Sequence, residues 1–294
     1  MIAFLFAGQG SQYPNMGSDL YNNFDDVKEV FNNIPSKLKE ILLSDSEEIN
    51  DTQYAQPAIF LISYLLASKL NVKPDYVAGL SLGEYSALCY ANVFSFNDGL
   101  DITSKRGLIM NKALENTNSG MYAVLGSDAE TINSVVSKID GVEVANYNCP
   151  GQIVITGYLD KLEEAVTELT NLGVRRCIKL NVSGAFHSSL LVDASVELRE
   201  VLNEYNFNDK ETKVIFNTLG TESNEDVKDL LQNQIKSSVL FEQSIEYMIN
   251  QGVTTFIEIG SKNNLSGFVK KINRDVKILN VYDFETLKKV GEEL

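Results

Sequence analysis

The chain has 294 residues, 44% of them hydrophobic and 22% charged, the balance of a globular protein with one or two domains and a sizeable core. Its 40 acidic residues against 25 basic ones give a net charge of -15, which argues against nucleic acid and anionic membrane as main partners. No apolar run reaches the roughly 18 residues of a membrane span, and three scattered cysteines (Cys89, Cys149 and Cys177) with no metal spacing read as reduced thiols of a cytoplasmic protein.

Residues 2–6 are apolar without a basic leader or a cleavage site, and read as a first strand. Gly8-Gln9-Gly10-Ser11-Gln12 follows, a glycine-rich turn at the carboxyl edge of a sheet, where open α/β folds place ligands. It lacks the Gly-Lys-Ser/Thr ending of a phosphate loop, and alone it reads as a plain turn. Short helices with polar faces are predicted over 27–31 and 38–43, and a strongly apolar helix over 56–70 with Pro57 in its first turn. Residues 75–78 then make a short strand, Gly79-Leu80-Ser81-Leu82-Gly83 a sharp turn, and residues 84–91 a helix. Strand, G-x-S-x-G turn and helix together make a nucleophile elbow, with Ser81 at the tip and the Leu82 N–H aimed where an oxyanion forms. The plain alternative is a serine in a glycine-bounded connection. A helix over 97–116, with Asn97 and Asp98 as caps, carries Lys105-Arg106-Gly107.

From Ser119 the rhythm changes to strands at 121–125, 142–146, 152–156 and 174–182, with helices at 128–139 and 159–172. The order β-α-β-β-α-β is the ferredoxin-like unit. It reads as a small domain over 117–182 inserted in a larger one made of 1–116 and 183–294. Its exit runs into Gly184-Ala185-Phe186-His187. His187 is the only histidine, so a serine that needs an imidazole base has no other choice. A helix to about 205 follows, then a strand at 213–216, helices at 225–235 and 243–250, a strand at 254–259, a helix at 265–272 and a strand at 276–281. This alternation predicts an α/β fold whose largely parallel sheet is covered on both faces.

Gly8-Gln9-Gly10-Ser11-Gln12, Gly79-Leu80-Ser81-Leu82-Gly83-Glu84-Tyr85, Lys105-Arg106-Gly107 and Gly184-Ala185-Phe186-His187 fall in this order along the chain. Together they resemble the malonyl-CoA:acyl carrier protein transacylases of bacterial fatty acid synthesis, and Gln56-Pro57-Ala58 and Asn146-Tyr147-Asn148 extend the match over essentially the whole length. The resemblance implies an α/β hydrolase-like large domain with an inserted ferredoxin-like one and a site in the cleft between them. It makes Ser81 the acyl-accepting nucleophile, His187 its base, Arg106 the partner of the malonyl carboxylate, and Gln9 and Leu82 the oxyanion donors. Phe186, Gln56 and Asn148 are added as substrate-binding residues, although Asn148 beside Cys149-Pro150-Gly151 serves equally well as a turn residue. The implied partners are malonyl-CoA, as substrate, and acyl carrier protein; no permanently bound cofactor or metal, nucleic acid or membrane is expected, and the chain is expected to be a cytoplasmic monomer.

Two segments depart from the family pattern. Ser238-Val239-Leu240-Phe241 stands where Pro-Val, a polar residue and an aromatic are usual, and a main-chain carbonyl there is implied to accept the histidine N–H. Gly260-Ser261-Lys262-Asn263 replaces a Gly-Pro-Gly-Lys turn. An acidic carrier meeting an acidic enzyme needs a local basic patch, for which Arg175, Arg176 and Lys179, or Lys262, Lys270, Lys271 and Arg274, are available; a solvated face is nevertheless the preferred reading of either group. The closest rival function is a discrete acyltransferase loading carrier proteins of a modular polyketide synthase. A serine thioesterase or esterase is the other; its order is normally Ser, acid, then a histidine near the C-terminus.

Overall fold

The computed structural model describes all 294 residues. Ten strands occur in chain order: β1 (Ile2–Phe6), β2 (Tyr76–Gly79), β3 (Ser119–Leu125), β4 (Val142–Cys149), β5 (Gln152–Tyr158), β6 (Arg176–Lys179), β7 (Lys213–Val214), β8 (Val239–Leu240), β9 (Thr255–Ile259) and β10 (Lys277–Val281). Five of them make an all-parallel sheet in the order β10-β9-β1-β2-β7. Helices cover both of its faces, which is why the central β1 reads Ala-Phe-Leu-Phe, a continuous apolar run, rather than alternating. Register sets Phe6 beside both Gly79 and Ile259, so β1, β2 and β9 end in one row. The turns that follow them, 7–12, 80–82 and 260–263, therefore emerge side by side at the carboxyl edge.

The second sheet has the order β6-β3-β5-β4-β8. Its first four strands are antiparallel, and helices Ala129–Val136 and Leu159–Asn171 bury Ile132, Val135, Leu162, Ala165 and Leu169 in a separate apolar core. That is the expected ferredoxin-like arrangement. The fifth strand is new: β8 reaches in from the other part of the chain and pairs parallel with β4, Asn146 opposite Val239 and Tyr147 opposite Leu240. Two residues carry no periodicity, so nothing local announces this strand.

Several bounds move. The apolar helix starts at Thr52 rather than 56 and runs to Ser68, placing Pro57 inside it; its first turn is polar and faces the cleft, so hydrophobic periodicity misses it. The helix bearing Arg106 spans Phe96–Leu114, and its cap is Ser95, whose hydroxyl accepts the Asp98 N–H at 3.1 Å, not Asn97 or Asp98. The strand predicted over 174–182 shortens to Arg176–Lys179, an edge strand with three exposed residues. A C-terminal helix, Phe284–Glu293, capped by Asp283, was not anticipated.

Candidate active site

Glycine makes the elbow possible. A Cβ on Gly79 would lie 1.9 Å from the Gly83 carbonyl carbon, and one on Gly83 would lie 2.1 Å from the Phe6 oxygen. The turn is so tight that strand end, turn and helix start touch backbone to backbone. Ser81 at its tip takes φ +53°, the left-handed region that side-chain-bearing residues rarely adopt. Helix Gly83–Tyr90 then begins, so the positive end of its dipole lies beside Ser81. A Cβ on Gly8 would lie 2.3 Å from the Leu80 oxygen, which brings the Gly8-Gln9 backbone against the elbow. Neither the Gln9 nor the Leu82 N–H meets an acceptor in the chain.

The Ser81 hydroxyl oxygen lies 2.7 Å from His187 Nε2, across 106 positions of sequence. His187 also has positive φ, +57°, and is 4% exposed. Its Nδ1 lies 2.9 Å from the Gln234 carbonyl oxygen. A carbonyl only accepts, so Nδ1 carries the proton and Nε2 is left as the acceptor facing Ser81. Burial, with the nearby Arg106 cation, lowers the His187 pKa to about 4, so the ring is neutral at physiological pH.

The carbonyl that orients the ring is therefore not in 238–241, as expected, but four residues upstream. The reason is helical. Gln234 ends helix Val227–Gln234, whose last carbonyls have no partner within the helix, and one of these turns to the imidazole. Segment 238–240 instead joins the small sheet, where the Ser238 hydroxyl donates to the Val144 carbonyl at 2.5 Å.

Arg106 is 1% exposed and has no carboxylate within ion-pair distance. Its Nη1 donates to Gln56 Oε1 at 2.7 Å; its Nη2 donates to Gln234 Oε1 at 3.1 Å and to the Ser81 hydroxyl at 3.3 Å. The guanidinium carbon sits 5.0 Å from the Tyr85 ring centre, and Nε has no partner. Burial pulls the Arg106 pKa down, yet guanidinium is the one side-chain cation that stays protonated in such a place. Its neighbour Lys105 is engaged elsewhere, with Glu204 at 2.9 Å and the Tyr205 hydroxyl at 2.8 Å.

These groups open on a cleft of about 710 Å³ between the two sheets, lined among others by Gln9, Ser81, Arg106, Asn148, Phe186 and His187. Gln56 does not line it; it is fully buried behind Arg106, and touches the cleft's lining through the guanidinium and through the Met110 sulfur, to which its Nε2 donates at 3.6 Å. Leu82 likewise turns its side chain into the core and offers the site only its backbone. Asn148 is 5% exposed, and its buried Oδ1 has no hydrogen-bond partner. The Phe186 carbonyl accepts from the Thr156 hydroxyl at 2.9 Å, which fixes the segment leading to His187.

Gln234, Asn217, Glu84 and Tyr85 are the residues that sequence reasoning did not assign to the site. Gln234 touches all three principal groups: its carbonyl accepts from His187, its Oε1 from Arg106, and its Nε2 donates to the Ser81 carbonyl at 2.9 Å. Glu84, a lone charge in a largely apolar helix, carried a local signal; Gln234 sits in an ordinary polar stretch, and Asn217 follows the apolar run Val214-Ile215-Phe216 with nothing in its neighbours to mark a role.

Chemically, the arrangement offers an activated hydroxyl, a neutral base in the right tautomer, unpartnered backbone donors and a buried unpaired cation. Such a set of groups is chemically able to carry acyl transfer to and from a serine, and to hold an acyl group that bears a negative charge. The chain matches the acyl transferase domain family over residues 3–284. The malonyl CoA-acyl carrier protein transacylase of Bacillus subtilis (strain 168) is 42% identical over 98% of this chain and 95% of that protein. Among solved structures, the malonyl CoA-acyl carrier protein transacylase of Clostridium perfringens superposes with a TM-score of 0.94 at 42% identity, covering 99% of this chain and 96% of that one. A malonyl-transacylase in complex with its type II polyketide acyl-carrier protein superposes with a TM-score of 0.91 at 30% identity, over 100% and 99% of the two chains.

Proposed function

The chain belongs to the acyl transferase family, among its malonyl CoA-acyl carrier protein transacylases, and we propose that Ser81, His187 and Arg106 carry its reaction. The enzyme transfers malonyl from malonyl-CoA to the phosphopantetheine thiol of acyl carrier protein, in fatty acid biosynthesis, by a ping-pong Ser/His mechanism. The observation that carries the residue assignment is one oxygen with two partners: the Ser81 hydroxyl lies 2.7 Å from the base nitrogen of His187 and 3.3 Å from the buried guanidinium of Arg106.

In the first half-reaction His187 Nε2 takes the Ser81 proton as the hydroxyl attacks the thioester carbonyl. Nδ1 keeps its proton and goes on donating it to the Gln234 carbonyl, at the negative end of its helix, which favours the imidazolium as it forms. The unpartnered Gln9 and Leu82 N–H groups take the oxyanion. Collapse returns the proton from His187 to the CoA sulfur, leaving a malonyl-serine ester. The carrier thiol then gives its proton to His187 and reverses the sequence. Throughout, the malonyl carboxylate is the missing counter-ion of Arg106, whose fork Gln56 and Gln234 hold in one plane. Phe186 crowds the carbon between carbonyl and carboxylate and disfavours a branched methylmalonyl group, and Asn148 offers its free Oδ1 to the pantetheine amides.

The carrier reading is supported by charge. Arg175, Arg176 and Lys271, from the two basic groups, line one concavity of about 580 Å³ that shares Gln152 with the catalytic cleft. None of the three pairs with a carboxylate. In this reading an acidic carrier docks there and sends its arm past Gln152. The enzyme in this reading is a cytoplasmic monomer, which a cleft built by a single chain allows. No helix is long and apolar enough to cross a membrane. A polyketide carrier is the second reading, favoured by the complex noted above; rates with carriers of the two kinds separate them.

Intact-mass spectrometry after mixing with malonyl-CoA or acetyl-CoA tests the assignment. Wild type should gain a malonyl adduct and Ser81→Ala none. Removing one partner of a buried ion pair costs about 3–5 kcal/mol, or roughly two to three and a half decades in kcat/KM. Arg106→Ala should therefore lose malonyl loading by that factor and keep or gain acetyl loading, with Arg106→Lys recovering only part. An Arg106→Ala variant that loses both acyl groups equally would show that Arg106 supports the fold or the CoA instead.

A further inference from the structure

Glu84 and Asn217 are both 1% exposed, lie beneath the elbow and take no part in the mechanism above. Their hydrogen bonds form one connected set. The Asn217 side chain accepts the Ser81 N–H at Oδ1 (2.7 Å) and donates from Nδ2 to the Gly79 carbonyl (2.7 Å). Its backbone N–H donates to Glu84 Oε2 at 2.6 Å, and its carbonyl accepts from the Leu240 N–H at 2.8 Å. So both ends of this residue are anchored, one on the helix that follows the nucleophile and the other on β8.

The reason for this arrangement lies in the sheet. β2 pairs with β7 only at Tyr76–Lys213 and Val77–Val214, and the last backbone bond across that seam runs from the Ile215 N–H to the Val77 carbonyl. Beyond it the elbow turns out of the sheet plane, and no strand follows. The next acceptor and donor on that edge are the Gly79 carbonyl and the Ser81 N–H, on either side of Leu80. In a parallel ladder one residue's N–H and C=O bracket a residue of the neighbouring strand in this way. The Asn217 side-chain amide has the same donor and acceptor as a peptide group and occupies that place. It holds the two residues whose conformations define the turn, one of them Ser81 with its left-handed backbone.

Resting on the reading of Ser81 as nucleophile, we propose that Asn217, anchored by Glu84, is a positioning residue that continues the sheet ladder across the elbow and holds Ser81 in the conformation that meets His187. Burial raises the Glu84 carboxyl to about 8, so its uncharged form is the one present at neutral pH, and a glutamine there reproduces both its shape and its acceptor.

The test is rapid-quench acylation by malonyl-CoA, which separates burst amplitude, the fraction of chains that acylate, from the single-turnover rate constant. Asn217→Ala removes both side-chain bonds, and Asn217→Leu removes them while keeping the volume, in case alanine leaves a cavity that unfolds the chain. Misplacement of a reacting group by about 1 Å costs roughly 10²-fold. Both variants should acylate to near-full amplitude with a rate constant lower by about that factor, and with KM for malonyl-CoA near wild type. Glu84→Ala should follow them, and Glu84→Gln should stay close to wild type. If the amplitude falls while the rate constant per acylated chain is unchanged in both Asn217 variants, the residue only supports packing and the proposal is overturned. Absence of a burst in wild type would remove the reading of Ser81, and this proposal with it.

Discussion

His187 has its chemistry imposed by its surroundings rather than by its own side chain. The Gln234 carbonyl forces the tautomer, and burial with Arg106 beside it lowers the pKa from the ordinary 6.5 to about 4. The sign of the consequence is definite: a base with a depressed pKa stays neutral as pH falls, so the active form persists into acid. We expect kcat/KM for acylation to be flat between roughly pH 5 and 8 and to fall only near the lowered value, instead of titrating near 6.5. Arg106→Ala removes a positive neighbour and should move this acid limb upward; acetyl-CoA, which that variant still uses, is the substrate for the measurement. An acid limb near 6.5 in wild type would mean that the ring is better solvated than its 4% exposure implies. Ser81, Arg106 and His187, which the structure brings into contact, could be singled out in the sequence because each stands in a short motif. Gln234 and Asn217 could not, because their roles are contacts made across 47 to 153 positions of chain by residues that look ordinary locally.

The elbow is the element on which the site depends, and its requirement is steric. At Gly79 an added methyl would meet the backbone of Gly83 at 1.9 Å, and backbone cannot swing aside as a side-chain end can. Gly79→Ala should destabilise the protein by about 3 kcal/mol or more, beyond the usual range for overpacking. Gly267, inside helix Asn264–Ile272, is the control: nothing lies within 4 Å of its added Cβ. Gly267→Ala should raise stability by up to about 1 kcal/mol through helix propensity. Thermal unfolding of the two variants checks both signs, and equal shifts would contradict the steric account. Long elements with clear periodicity were predicted to within a few residues. β8 and the first turn of the helix at Thr52 were missed because a two-residue strand and a polar turn carry no hydrophobic pattern; the C-terminal helix was missed although Phe284, Leu287 and Val290 stand at helical spacing and Leu287 and Val290 are buried.

At the scale of the whole molecule the question is how a chain of net charge -15 receives an acidic carrier protein. Long-range repulsion is screened beyond about 8 Å at physiological ionic strength, so a local cluster decides the encounter. Arg176 and Lys271 come from β6 and from helix Asn264–Ile272, and meet around the concavity beside the cleft mouth. Arg176→Glu with Lys271→Glu should raise KM for acyl carrier protein by roughly tenfold or more at low salt and leave acylation by malonyl-CoA unchanged. The defect should narrow as salt rises. If transfer to the carrier is unaffected at low ionic strength, the carrier docks elsewhere.

What the sequence by itself determined is what depends on local pattern. The alternation of apolar strands and helices dictates a parallel α/β sheet, the β-α-β-β-α-β order dictates the small sheet, and glycine spacing dictates the elbow and puts Ser81 at its tip. The lone histidine leaves a single choice of base. Tertiary structure alone decided which groups surround these residues. The carbonyl of Gln234 rather than of the 238–241 segment orients His187; Gln56 serves Arg106 from behind rather than lining the cleft; and Lys271, far along the chain from Arg175 and Arg176, shares one concavity with them. The physical reason is that a hydrogen bond needs donor and acceptor within about 3 Å in space, a condition that backbone periodicity meets inside an element and only the packing of elements against one another meets between them.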